Sequence, residues 1–369
     1  MNEIFEKLRN QLAEVRNDES KLSRYAYSEK RDENGSYDEN EIARYQLLLA
    51  LQIDGNANDF QLIERLFQEE IQARKKDSFQ GFTEALGLNA YLLACFNQIA
   101  HLSLFLQANA ANFDTYFEFN EKFFLWNGIE NSFQDVKNLG KDEQELFHKK
   151  VGETIEKCHF NDEDIDRWKA KLHKRYSPNI TFDTMDEKLD FLLEIDEKET
   201  AKILYTQWKE SQKEHNQSYF LEMKRYANWL NLIDDLIFAS EKLLKFPQSD
   251  HDKLLSTIHL GDLYTRNNDF KSLKVCLNYY HEFASNTKKW IVAMVEIGIV
   301  HQHLEFILNS NDKNNEEAKE IWNWIEPKLK NLSRLNHLDL LAIANVYQLF
   351  GNKSESLKYH LKAGKAKEL

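Results

Sequence analysis

Several groupings of histidine, aspartate, arginine and cysteine in this 369-residue chain could in principle do chemistry. His301-Gln302-His303 resembles a metal-ligand pair, but residues two apart on a helix point about 200° from each other. Helical spacing places His301 toward the core and His303 toward a groove, which is not an ion site. Asp234-Asp235 lacks a third acidic residue at metal-binding spacing. Cys95, Cys158 and Cys276 are odd in number, scattered and set in apolar helical contexts, so they read as buried free thiols. No Gly-rich phosphate loop, His-Glu-x-x-His, Cys-x-x-Cys or nucleophile elbow occurs. What remains is Arg167 and His173, a permanent cation and a titratable imidazole six residues apart. The expectation is a non-catalytic chain with no metal and no cofactor.

The elements that would position any site are helices. Only 3 Pro and 11 Gly punctuate the chain, too few for a sheet-rich protein that needs frequent turns. Hydrophobic residues at 42% and charged residues at 30% suit amphipathic helices with wet outer faces. The pattern predicts an all-α fold, a helical bundle followed by antiparallel helical hairpins. Its segments are an N-terminal helical domain over 1–177, connecting helices over 178–250 and repeats over 251–369.

Within the first segment, helices are expected at Asn2–Arg16, at Glu41–Ile53 and from an Asp59 cap to Arg74. Asn17–Asn40 reads as polar connection. Thr83–Gln107 reads as one long helix, apolar on most sides and therefore central. The aromatic run Phe113–Trp126 reads as core packing, with a recognition surface as the alternative, Gly128–Gly140 as irregular chain, and Asp142–Cys158 and Asp162–Tyr176 as helices. Thr184–Ile195, Thr200–Glu214 and Gln217–Phe246 follow, the last closed by Pro247.

Charge is unevenly placed. The net charge is −13, yet residues 251–369 hold 16 Lys and Arg against 14 Asp and Glu. Residues 1–250 therefore carry −15. An acidic chain repels phosphate backbones, which disfavours direct nucleic-acid binding and favours a basic protein partner. Residues 183–199 concentrate this charge, with 8 acidic residues against Lys188 and Lys198. Asp186, Glu187, Asp190, Glu194 and Glu197 fall on one helical face, either a solvated surface or a docking stripe for a basic partner. No apolar run reaches the length of a membrane span, and the charged N-terminus has no signal core, so the expected setting is cytoplasmic without membrane contact.

A helix-turn-helix pattern recurs in residues 254–364. It reads Leu260-Gly261-Asp262-Leu263-Tyr264 with Asp269-Phe270, then Ile297-Gly298 with Ala318, Trp322, Ile325 and Pro327. The third copy is Ile343-Ala344-Asn345-Val346-Tyr347 with Gly351, Ser356, Tyr359 and Ala363. This resembles the tetratricopeptide repeat; no family is recognised in the N-terminal part. Gly261, Gly298 and Ala344 would be the small residues where the two helices of one unit cross. Intervals of 37 and 46 residues exceed the regular repeat of about 34, and the excess is assigned to a loop at Asn309–Asn315. His301 stands where the repeat has Tyr, and Leu273 where it has Ala.

The resemblance implies a protein-binding function through the inward face of each first helix. That maps to Asp262, Thr265 and Arg266, then Gln302 and His303, then Asn345 and Gln348. One protein partner is expected, a basic toxin or a peptide, and a cytosolic bacterial immunity protein is the most specific version of this reading. Rap-type peptide-sensing regulators, similar in size with a helical bundle before such repeats, provide an alternative. A third comes from Arg167-x5-His173, which is similar to the signature of helical HEPN ribonucleases. That resemblance implies action on a 2′-hydroxyl and scissile phosphate, although Trp168 replaces a usual polar neighbour.

Overall fold

The computed structural model describes residues 1–367 except 33–34, 77–80, 97–100, 268, 286, 331 and 333–334. It is all-α apart from one two-stranded hairpin among the described residues. The chain divides into two compact units, Met1–Lys198 and Glu199–Leu369. The segment 178–250 is thus shared between the two, with its acidic stripe in the first. No helix among the described residues is long and apolar enough to cross a membrane.

In the first unit, α1 (Asn2–Asn17) buries Ile4, Leu8, Leu12 and Val15, a row at helical spacing, and packs on α2 (Glu41–Asp54). The polar stretch between them is ordered. It holds a 3₁₀ turn over Glu19–Tyr25 and the antiparallel pair β1 (Glu29–Asp32) and β2 (Gly35–Asp38). Arg44 of α2 anchors that hairpin. Its guanidinium donates to Asp38 at 2.6 Å, to Glu70 at 2.5 Å and to the Tyr25 carbonyl at 3.2 Å, with all three charged side chains fully buried.

Asp59 does not cap the next helix, α3 (Phe60–Lys76). Its carboxylate accepts from the Asn56 amide in a capping box that opens the 3₁₀ turn Ala57–Asp59. Arg16 of α1 then grips Asp59 at 2.9 and 2.7 Å, closing the turn between α2 and α3. The expected long helix over 83–107 is instead α4 (Glu84–Ala94) and α5 (His101–Asn109), both packed on α3. Residues 97–100 of that span lie outside the described residues, and two short buried helices leave the same apolar signature as one long one.

The aromatic run divides between core and surface. Phe119, Phe123 and Phe124 are buried, whereas Phe113 and Phe117 on α6 (Phe113–Glu118) are 68% and 65% exposed. The stretch expected to be irregular contains α7 (Ile129–Asp135), and α8 (Lys141–Val151) stops at Gly152, whose φ is +132°. The unit ends with α9 (Asp162–Arg175) and α10 (Met185–Glu194).

The second unit begins with α11 (Lys198–Ser211), then a hairpin of α12 (Gln217–Trp229) and α13 (Ile233–Leu243) where one helix was expected. Asn231 takes φ +55° there, and the Leu232 amide donates back to the Ala227 carbonyl at 2.8 Å. That is a Schellman closure with Asn as the left-handed residue, a stop signal easily missed when Gly is absent.

Three further hairpins follow: α14 (Asp250–Arg266) with α15 (Phe270–Ala284), α16 (Lys289–Ser310) with α17 (Glu316–Ile325), and α18 (His337–Leu349) with α19 (Lys353–Lys367). The excess length of the middle one lies in the 22 residues of α16 and in a 3₁₀ turn at Glu326–Lys330, not only in the loop. One core cluster spans all three hairpins, including Leu260, Tyr264, Leu273, Val300, Ala318, Trp322, Ala344, Tyr347, Tyr359 and Ala363. Gly351 turns the last hairpin at φ +83°, as its position between two helical patterns predicts.

Candidate interaction surfaces

The last three hairpins of the second unit meet chiefly through their first helices, α14 against α16 and α16 against α18, while the α12–α13 hairpin meets α14 through its second helix, α13. Gly261 makes the first of these contacts possible, since a Cβ there would lie 2.1 Å from Oε1 of Gln302. Gly298 approaches Ile258 of α14, with a built Cβ 3.2 Å from Cγ2. The small residues therefore serve the junction between successive hairpins rather than a crossing within one.

Two residues expected in a groove are buried there. Gln302 is buried, and its amide donates to the Ile258 carbonyl at 2.8 Å and to Asp262 at 2.6 Å. It staples α14 to α16. His303, expected to face a groove, is fully buried; its Nδ1 lies 2.7 Å from the Ile299 carbonyl, and burial pushes its pKa down to about 4. His301, expected in the core, is the half-exposed one. Its Nδ1 lies 2.9 Å from Asp339, and its Nε2 lies 3.4 Å from Glu305. The Asp339 bond raises the pKa of His301 above its ordinary value. The inversion has a simple cause: α16 is buried on two sides, so a one-sided repeat pattern misassigns which ring is outward.

Asp262, Arg266, Asn345 and Gln348 are exposed as expected, while Thr265 is half-buried and donates to the Gly261 carbonyl at 2.9 Å. Arg266 also donates to Asn231 at 3.2 Å, so the face continues toward the α12–α13 turn. Lys224 of α12 and His259 of α14 are half-buried, and the charges of Lys224, Asp262 and Arg266 all act on His259. Burial, followed by Lys224, lowers the pKa of His259, and burial lowers that of Lys224. Reading 217–246 as one helix hid this hairpin and with it Lys224. The exposed polar side chains thus lie on α14 and α18, whereas Gln302 and His303 of α16, between those helices, are buried.

The acidic stripe on α10 is partly committed within its own unit. Glu187 closes the capping box by accepting from the Thr184 amide at 3.4 Å, and it also accepts from the Asp183 amide at 2.6 Å. Glu197 pairs with Lys7 of α1, and Glu194 accepts from the Tyr45 hydroxyl at 3.5 Å. Burial, then Glu84 and Asp190, raise the pKa of Glu194. Glu187 and Glu194 are exposed, and Asp186, Asp190 and Glu197 are half-buried.

Arg167 and His173 do not converge. Six residues turn a helix by about 240° net, which sets the two on different faces of α9. Arg167 pairs with Glu163 at 3.1 Å and Asp164 at 3.7 Å, while Nδ1 of His173 lies 2.9 Å from the Tyr91 hydroxyl in an aromatic cluster with Trp126. The cysteines are free, but only Cys276 is buried; Cys95 is exposed, which corrects the expectation of three buried thiols. Burial pushes the Cys276 thiol up to about 12. Among the described residues, no group of three or more His, Cys, Asp and Glu is placed to hold a metal ion. Asp234 contacts Asn267 at 3.3 Å, and Asp235 pairs with Lys209 at 2.7 Å.

No protein family, curated protein or solved structure matches this chain.

Proposed function

We propose that the chain is a non-catalytic binding protein that recognises a peptide segment of one protein partner along the first-helix face of its second unit. The observation that carries this reading is the junction of α14, α16 and α18, with exposed Asp262 and Arg266 on α14 and exposed Asn345 and Gln348 on α18. Alternating basic, acidic and amide groups suit a partner with a defined polar sequence better than one defined by net charge. The first unit adds a −14 field from 25 basic and 39 acidic residues, which would steer a basic partner toward the chain. A toxin acting on nucleic acid has a basic cleft, so an immunity protein remains the specific form of this proposal.

The test is a peptide array probed with the full chain and with Arg266→Ala/Asn345→Ala/Gln348→Ala. These three side chains are exposed, so the triple variant should keep its melting temperature. Sequence-selective binding that the triple variant loses by about tenfold or more is the expected result, equivalent to about 1.4 kcal/mol. Undiminished binding by the variant would move the site elsewhere.

A further inference from the structure

The last helix has two working faces, and only one is occupied. Ser356, Tyr359 and Ala363 of α19 are buried in the hairpin with α18. At about 100° per residue, Leu357, Leu361 and Gly364 fall on the opposite side. Leu357 and Leu361 are each 62% exposed, and a Cβ built on Gly364 would meet no atom within 4 Å. Isolated exposed leucines need no explanation, but this spacing of four then three is the d-a-d register of a coiled-coil seam, with Ser354 at the preceding a position.

The flanks of the seam carry one sign. In that register the e and g positions are Lys353, Lys358, His360, Lys365 and Lys367, with no carboxylate among them. The acidic side chain Glu355 sits outside the seam at a b position and pairs with Lys358 at 2.9 Å. Residues at e and g decide which helix a seam accepts, because they face the same positions of the partner. We infer that the Leu357–Leu361–Gly364 seam docks an acidic amphipathic helix of a partner protein, one with apolar a and d positions and Glu or Asp at e and g.

Charge excludes the nearest rival. A second copy seated on this seam would set lysines against lysines in either orientation, a mismatch that specific coiled coils use to reject partners. A lipid surface would suit the lysines but has no use for Gly364. A bare glycine in a seam lets another helix come close and place a large side chain over the gap. The seam lies on the second helix of its hairpin, so it is separate from the first-helix face proposed above to read a peptide.

Fluorescence anisotropy with the full chain can test this, using labelled three-heptad peptides with Leu at a and d. One peptide carries Glu at every e and g position, the other Lys. The Glu peptide should bind, more weakly as salt rises, and the Lys peptide should not. Leu357→Gln/Leu361→Gln should weaken the Glu peptide by about tenfold or more through lost apolar burial, without moving the melting temperature. Gly364→Phe should weaken it as well. Four results would overturn the inference: equal binding of both peptides; unchanged binding by either variant; self-association abolished by the double variant; or binding to phosphatidylserine vesicles that Gly364→Phe leaves intact, in place of peptide binding.

Discussion

The two units solve the same problem, holding many short helices together, with different interactions. The first carries 25 basic and 39 acidic residues and uses some of them inside: Arg44 between Asp38 and Glu70, and Arg16 across Asp59. The second carries 23 basic and 22 acidic residues and joins its hairpins mainly by packing, with Gly261 under Gln302 and Trp322 edge-on to Tyr347. Buried ion pairs hold geometry tightly but leave stranded charges when one partner is lost. Packed seams lose stability in proportion to the volume mismatch. The same size of sequence change should therefore cost the first unit more, provided it hits a buried charge.

Arg44→Met is the sharpest way to break that contrast. It leaves two carboxylates buried without their cation, a loss of about 3–5 kcal/mol. Amide hydrogen exchange should show protection falling in α2 and α3 and in the β1–β2 hairpin. Arg44→Met with Glu70→Met should recover part of the loss, since one stranded charge goes. A variant as stable as the parent would mean the triad holds nothing.

Gly261→Leu is the matching change in the second unit. A side chain there must displace Gln302, whose two hydrogen bonds staple α14 to α16, at a cost of about 1–3 kcal/mol for overpacking. Loss of exchange protection should centre on α14 and α16. If Gly261→Leu cost as much as Arg44→Met, the distinction between the units would fail.

These two positions were not equally legible. Gly261 stands out in sequence because a small residue beside Leu260 and three before Tyr264 follows a helical rhythm. Its role in joining successive hairpins needed the structure, because periodicity gives a face but not the neighbour against that face. Arg44 gave no signal, since its partners lie 6 and 26 residues away, one of them on a short strand within a stretch that reads as loop. Helix ends were legible where Thr, Asn or Gly marks them, as at Thr184 and Gly351, and illegible at Asn231, where the left-handed residue lies between apolar runs. On the candidate surface, exposed Asp262, Arg266, Asn345 and Gln348 follow from the repeat pattern. Gln302 and His303 do not, because α16 has neighbours on two sides and buries what a simple amphipathic helix would expose.

The smallest expected effect concerns pH, and the raised histidine that sets it is in the second unit. The folded-state pKa of His301 is raised, chiefly by Asp339, so the proton it holds stabilises the second unit. That contribution is fully present below the unfolded value of about 6.5 and is lost as pH rises through the folded value. His303 acts oppositely: burial lowers its pKa to about 4, so stability falls as pH drops from about 6.5 toward 4. These two histidines of α16 therefore contribute a decline on the alkaline side and a decline on the acid side, respectively. The first unit holds His101, which burial likewise lowers to about 4, and should share the acid-side decline. His301→Gln should flatten the alkaline side in α16 and α18, and it also removes the bond that helps hold Asp339 below the usual carboxylate range, so stability at low pH should change as well. Because His301 is partly exposed, the change should stay below about 1 kcal/mol, read from exchange protection across that range. An alkaline-side decline that persists in His301→Gln would show that the pair with Asp339 is not its source.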